Sequence, residues 1–192
     1  MKPSELQRNL QELMTLPGET EWVEFKEAKS NFDFDDLGKY FSALSNEARL
    51  KGQSGGWLIF GVTDKQPRQV VGSSYRLQRP GLEKLKQQIS QQTNHQITFT
   101  DTYELNTDNG RVVLFEIPPA PPGIPTTWKG IAYGRIHESL APLSLHEIDQ
   151  IRKQIVHEDW SAQDCDGATL DHLDPQAVMF ARQEYRKKYP AL

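Results

Sequence analysis

The segment Glu19–Lys26 brings three carboxylates and a lysine together where a strand is predicted to begin. Successive side chains of a strand point to opposite faces of its sheet. Val23 and Phe25 therefore point into a core, while Glu24 and Lys26 share the other face. An acid next to a lysine on such a face can hold a metal ion and a phosphate group together.

A further acid, Asp64, ends a second predicted strand that begins at Trp57. If the two strands are neighbours, Glu19, Glu24 and Asp64 converge. Carboxylates of this kind suit Mg²⁺ or Mn²⁺, which can activate water for phosphodiester cleavage. Lys26 would then stabilise the developing negative charge. The same residues also fit a solvated strand face that carries an ordinary salt bridge.

Five short motifs follow one another along the chain: Glu24-Phe-Lys26, Ala43-Leu-Ser-Asn46, Gly55-Gly-Trp-Leu-Ile-Phe-Gly-Val-Thr-Asp64, Val71-Gly72 and Tyr133-Gly-Arg135. Together these motifs resemble the Schlafen AlbA-like domain family. The resemblance covers residues 17 to 150 and implies a domain that binds nucleic acid. One departure is the stretch 47–54. In the family pattern, the asparagine that corresponds to Asn46 is followed almost directly by the glycine pair that corresponds to Gly55-Gly56.

The resemblance also implies a site. Schlafen proteins that cleave RNA carry a three-carboxylate centre whose first two members lie in a Glu-(x)4-Glu-Phe-Lys motif, which residues 19–26 reproduce. The third member is an aspartate in a Gly-Val-Asp-Asp segment, where this chain has Thr63 before Asp64. By resemblance, the metal ligands are Glu19, Glu24 and Asp64, and these three with Lys26 form the catalytic set.

Composition limits how this chain can bind nucleic acid. The net charge is −4 and charged residues make up 25% of the sequence, so the chain lacks the overall basic charge of a dedicated nucleic-acid binder. Contacts to phosphates must therefore come from a local patch of lysines and arginines. Alternatively, the lysines and arginines only make the chain soluble. The candidates are Lys26, Lys29, Lys65, Arg68, Arg76, Arg79, Lys84, Lys86 and Arg135, with Trp22 or Tyr75 for stacking on bases.

Cysteine usage and the N-terminus suggest a cytoplasmic location. The single cysteine, Cys165, excludes a disulfide within the chain and a zinc site built on several thiolates. The first residues do not form a signal-peptide pattern, and the longest apolar run is too short to span a bilayer.

The glycines of residues 52–56 lack the Gly-Lys-Ser/Thr ending of a nucleotide-binding P-loop.

The predicted elements describe an α+β domain with a mixed, mostly antiparallel sheet of about five to six strands flanked by helices. An amphipathic N-terminal helix covers residues 1–16, and the Schlafen/AlbA-like domain covers residues 17–157. Residues 158–192 read as an acidic linker and a C-terminal helix. We expect this last part to lead into a further region of a longer protein.

The leading interpretation is a nucleic-acid-binding domain, the N-terminal module of a prokaryotic transcriptional regulator or defence-related protein. One alternative is a metal-dependent endoribonuclease. Another is a protein-interaction or dimerisation module, which includes a homodimer. The nuclease predicts that Glu19, Glu24 and Asp64 lie within reach of a shared metal. The binder predicts that they lie apart or are held in salt bridges.

Overall fold

The computed structural model describes residues 2–16, 20–136, 139–154, 167 and 169–189. The chain divides into two compact units, Met1–Val156 and His157–Leu192. Among the helices of the described residues, none is long and apolar enough to cross a membrane.

The first unit contains the elements that position the candidate site. Its helices are α1 (Pro3–Thr15), α2 (Phe34–Leu50), α3 (Arg79–Ser90) and α4 (Leu145–Lys153). Its strands are β1 (Val23–Lys26), β2 (Gly56–Phe60), β3 (Asp101–Thr107), β4 (Gly110–Ile117), β5 (Thr127–Trp128), β6 (Ile131–Ile136) and β7 (Ser139–Pro142).

The strands form two sheets. The first has the order β1-β2-β4-β3, in which only β1 and β2 run parallel, and the second is the antiparallel sheet β5-β6-β7. The predicted α+β fold with mainly antiparallel strands is confirmed. A proline-rich stretch, residues 118–125, separates the sheets. Proline has no backbone N–H to donate to a sheet, so this stretch ends the pairing of β4.

Both faces of the four-stranded sheet are covered. On one face, α1 packs its leucines against Val23, Phe25 and Ile59. On the other face, α2 and α3 pack against Leu58 and Phe60. The predicted alternation of β1 is therefore present, but the face opposite Phe25 is covered as well. Any charge on that face needs a partner inside the protein.

Helix α2 is joined to the second sheet by Asn46, which is fully buried. Its side-chain amide donates to the carbonyls of Thr126 and Tyr133, and its carbonyl accepts from the Thr126 backbone N–H. One side chain thus satisfies three backbone groups of another element. This explains the asparagine at the end of the Ala43–Asn46 motif in terms of packing.

The second unit contains helix α5 (Pro175–Lys188), preceded by a short 3-10 turn. Asp174 caps the helix by accepting from the Gln176 backbone N–H, and proline occupies the first helical position. Proline suits this position because its missing N–H would have no partner in the first turn.

Candidate functional site

Glu24 lies at the centre of a charged cluster on the α2 face of β1. Its carboxylate is 3% exposed. Arg135 of β6 donates to one oxygen through Nη1, and Lys26 Nζ lies 2.5 Å from the other. Both carboxylate oxygens are therefore paired with cations. Glu24 is held in salt bridges, the arrangement expected of a binding module and not of a free metal ligand.

Lys26 connects this buried pair to the surface. Its Nζ lies 4.0 Å from Asp64 Oδ2 and 5.1 Å from the centre of the Tyr40 ring. Burial acts to lower the pKa of Lys26, but the Glu24 carboxylate outweighs burial and the pKa is raised. Burial and the charge of Glu24 raise the pKa of Tyr40. At neutral pH the cluster thus presents an ammonium group and a neutral phenol.

Arg135 also brings a second buried acid close. Its backbone N–H donates to Glu47 Oε1 at 2.9 Å, and Glu47 is 2% exposed. Burial raises the pKa of Glu47, although the N–H of Arg135 opposes the shift. The Nε of Arg135 is buried and has no hydrogen-bond partner among the described residues. The charged cluster as used below consists of Glu24, Lys26, Tyr40, Asp64 and Arg135.

Strand topology brings Lys26 and Asp64 together. Because β1 and β2 are parallel neighbours, both end at the same edge of the sheet. Gly61 then turns the chain at a φ of +91°, and an added Cβ would lie 2.7 Å from the Arg111 carbonyl oxygen. Only glycine combines this backbone conformation with so close an approach. The glycine before Val62 therefore directs the following residues, including the exposed Asp64, toward the end of β1.

The described donors do not fit a carboxylate-held Mg²⁺ or Mn²⁺. In the part of the chain that the structure describes, no three acidic, histidine or cysteine side chains lie close enough to share a metal ion. Both oxygens of Glu24 are engaged, and Asp64 faces an ammonium group. Glu19 lies outside the described residues. We therefore derive no catalytic step through a metal.

Arg68, one of the predicted phosphate contacts, is buried. Its guanidinium donates to the carbonyls of Met14 and Leu16 and lies 4.3 Å from the centre of the Phe25 ring. Burial lowers its pKa. Arg68 thus ties the end of α1 to the sheet. Together with Arg135, it belongs to the interior and not to the surface.

Most of the other basic residues that were predicted to contact phosphates are paired with nearby groups of the protein. Arg76 donates to Gly81 and Gln88, and the ion pairs are Arg79 with Glu83, Lys86 with Asp101, and Lys29 with Glu27. By contrast, Lys65 and Lys84 are exposed and have no ion-pair partner among the described residues. Lys65 directly follows Asp64, which places it beside the charged cluster. Of the two aromatic candidates, Tyr75 is buried and Trp22 is half-buried.

Two members of this region were not found from the sequence, namely Tyr40 and Glu47, which lie on α2. A signal was present, since both residues share a helical stripe with the buried Leu44. Residues spaced by three or four lie on one side of a helix. Polar groups on a core-facing stripe need buried partners, and here those partners belong to β1 and β6.

Comparison with known proteins adds a family match. The model of the family described as "Schlafen, AlbA_2" matches residues 19–144. This range contains β1 to β7 and every described member of the charged cluster. No curated protein matched the sequence.

Two solved structures resemble the chain. A crystal structure of the DIP2311 protein from Corynebacterium diphtheriae is 19% identical and has a TM-score of 0.53. The similarity covers 98% of this chain but 35% of that protein. An NMR structure of the N-terminal domain of an ATP-dependent DNA helicase RecG-related protein from Nitrosomonas europaea is 16% identical and has a TM-score of 0.48. That similarity covers 76% of this chain and 93% of that domain. The first of these shows a shared fold.

Proposed function

Because the chain belongs to the Schlafen, AlbA_2 family, we propose that it is a nucleic-acid-binding module. The contact surface is the edge at which β1 and β2 end. There the module binds the phosphate backbone through Lys26 and Lys65. Lys29, which carries a salt bridge to Glu27, lies just beyond β1 and contributes a weaker contact.

The observation that carries this proposal is the pairing of Glu24 with two cations. Glu24 and Asp64 balance the charges of Lys26 and Arg135, so the unbalanced positive charge at this edge is that of the neighbouring Lys65, which has no ion-pair partner among the described residues. Of the two cations paired with Glu24, Lys26 is the more exposed, with 27% of its side chain accessible. Its raised pKa keeps it charged. A lysine ammonium binds phosphate oxygens as a point charge.

The same observation favours binding over cleavage. A metal-dependent endoribonuclease needs Glu24 as a free ligand, yet both of its oxygens are occupied. To bind a metal, Glu24 would have to give up a buried ion pair, and the cost of leaving a buried charge unpaired is several kcal/mol, roughly 3–5. Binding needs no such rearrangement, since the ammonium of Lys26 already reaches solvent.

The test is a titration of labelled single-stranded RNA and DNA, followed by fluorescence anisotropy at several salt concentrations. We expect binding of intact nucleic acid that weakens with salt. Each lost phosphate contact should reduce the slope of log affinity against log salt by about 0.7. Lys26→Ala and Lys65→Ala should each show this loss. Lys153→Ala, an exposed lysine on α4, is the matched control and should keep the wild-type slope.

Two results would contradict the proposal. Cleavage that requires Mn²⁺ and is lost in Glu24→Ala would establish the endoribonuclease. No binding at low salt would leave the protein-interaction or dimerisation module. A role as the N-terminal module of a prokaryotic regulator or defence-related protein, and a cytoplasmic location, stay predictions.

A further inference from the structure

A pocket of about 250 Å³ opens between α1 and the loop that precedes β2. It lies on the α1 face of β1, opposite the charged cluster. The indoles of Trp22 and Trp57 line it, and Asn9 and Glu12 of α1 line the facing side. The loop residues 53–55 form the remaining rim.

The sequence explains why two tryptophans meet here. Trp57 is paired with Val23 in the sheet register and so faces α1. Its backbone N–H donates to the Trp22 carbonyl at 2.9 Å, which fixes the two residues side by side. Two rim residues, Gln53 and Ser54, belong to the stretch 47–54, where the sequence departs from the pattern of the family that it resembles.

The chemistry of the pocket suits a flat, polar-edged ligand. Both indoles are half-buried, and neither indole N–H has a hydrogen-bond partner among the described residues. The amide of Asn9 can donate and accept, and the carboxylate of Glu12 can accept. The volume is smaller than the roughly 300–1,000 Å³ of sites for drug-sized ligands, which fits a single planar ring system.

We propose that this pocket binds an unstacked nucleobase of single-stranded nucleic acid between α1 and the two tryptophans. The base stacks on Trp22 or Trp57, and its polar edge meets Asn9 and Glu12. The pocket lies at the start of β1 and β2, away from the edge that carries Lys26 and Lys65. This inference rests on the proposed function and adds to it a second contact surface, which takes single-stranded nucleic acid. Aromatic side chains serve as stacking platforms for bases in proteins that bind single strands.

The charges around the pocket favour a base over a phosphate group inside it. Glu12 repels an anion, so the sugar-phosphate chain must lie outside. Arg8 lies 4.0 Å from Glu12, is 74% exposed, and lines an adjoining groove together with Glu5, Asn9 and Glu12. Arg8 is the one cation among the described residues of that groove, so a phosphate next to the bound base would contact Arg8.

The experiment measures tryptophan fluorescence during titration with a single-stranded RNA hexamer, an abasic oligomer of equal charge, and adenosine monophosphate. Stacking on an indole should quench emission with the hexamer but not with the abasic oligomer. Trp128 is 1% exposed and does not report on the surface. The fourth tryptophan, Trp160, is replaced by phenylalanine in every protein of this assay, so that quenching reports on Trp22 and Trp57. Trp22→Ala and Trp57→Ala should weaken hexamer binding by roughly 5- to 100-fold.

A second variant avoids any change to the core. Ser54 is an exposed rim residue, and Ser54→Phe should fill the pocket and weaken hexamer binding within the same range. Ser4→Phe places the same side chain on an exposed position of α1 outside the pocket and should bind normally. Thermal unfolding of every variant verifies that the fold is intact.

The outcomes separate this inference from the proposed function. If the wild type binds RNA by anisotropy but Ser54→Phe binds equally well and the hexamer causes no quenching, the inference is overturned and the proposed function stands. If the wild type binds neither labelled RNA nor labelled DNA at low salt, both are overturned. Saturable quenching by adenosine monophosphate without quenching by the hexamer overturns the single-stranded nucleic-acid assignment.

Discussion

Replacing Arg135 by methionine should unfold the first unit at markedly lower denaturant concentration. The change keeps side-chain bulk but removes the charge that faces Glu24, whose carboxylate is 3% exposed. Removing one partner of a buried ion pair costs about 3–5 kcal/mol. Glu24 keeps Lys26 at 2.5 Å, so we expect the lower end of that range, about 3 kcal/mol. The backbone N–H of Arg135 still donates to Glu47, which isolates the side-chain effect.

The assay is urea unfolding followed by circular dichroism. With a slope of about 1–3 kcal/mol per molar urea, a loss of 3 kcal/mol shifts the midpoint by roughly 1–3 M. The double variant Glu24→Gln/Arg135→Met removes both charges and should recover much of the loss. The coupling between the two positions should exceed about 1 kcal/mol, as for residues in direct contact.

Arg152→Met is the matched control. Arg152 lies on the exposed side of α4, 3.9 Å from Asp149, and 65% of its side chain is accessible. An exposed pair of this kind contributes about 0–1 kcal/mol. The prediction is wrong if Arg135→Met lowers the free energy of unfolding by no more than Arg152→Met does. It is also wrong if the losses from Glu24→Gln and Arg135→Met simply add in the double variant.

Three further perturbations test other parts of the structure. Asn46→Ala leaves buried backbone groups without hydrogen-bond partners. It should lower the free energy of unfolding, measured by urea unfolding, by about 2–5 kcal/mol. Gly38→Ala places a Cβ 2.1 Å from the Trp128 ring and should cost about 1–3 kcal/mol, measured as a lower melting temperature. Asp35→Asn should destabilise above pH 3.8, with the difference from wild type vanishing toward pH 2, because the hydrogen bond from Lys129 lowers the pKa of Asp35 to about 2.

Each of these predictions has a control in the same chain. Asn109→Ala alters an exposed hairpin turn and should change stability by less than about 0.5 kcal/mol. Gly81→Ala in α3 meets its nearest atom at 3.4 Å and should be neutral or stabilising. Asn109→Ala also serves as the control for Asp35→Asn, because it removes no titratable group and should keep the wild-type acid side of the pH profile. An effect in a control as large as in its partner variant would contradict the corresponding argument.

Local patterns in the sequence predict much of the fold. The spacing of Phe34, Leu37, Phe41 and Leu44 predicts α2, which the structure places at Phe34–Leu50. Alternation in β1 correctly assigns Phe25 and Glu24 to opposite faces. These predictions succeed because helix and strand periodicities depend on near neighbours in the chain. The two strands that carry Glu24 and precede Asp64, β1 and β2, are parallel neighbours.

The candidate site depends on contacts that no local pattern encodes. Glu24 and Arg135 are 111 positions apart, and the sequence shows each as a surface charge. The two Trp residues of the pocket, Trp22 and Trp57, lie in separate segments and meet through strand register. A lysine stays unpaired at the surface only if no acidic side chain lies close to it in the folded protein, and the sequence does not show this.

The residue pattern is thus sufficient for the fold class, the main helices, the strand that carries Glu24, and the family motifs. Folding in three dimensions buries the face that carries Glu24, pairs Glu24 with Arg135 and Lys26, and places Arg68 in the interior. Desolvation explains this difference. A charged side chain has the same chemistry wherever it lies in the sequence, but its role is set by the partners that replace water around it.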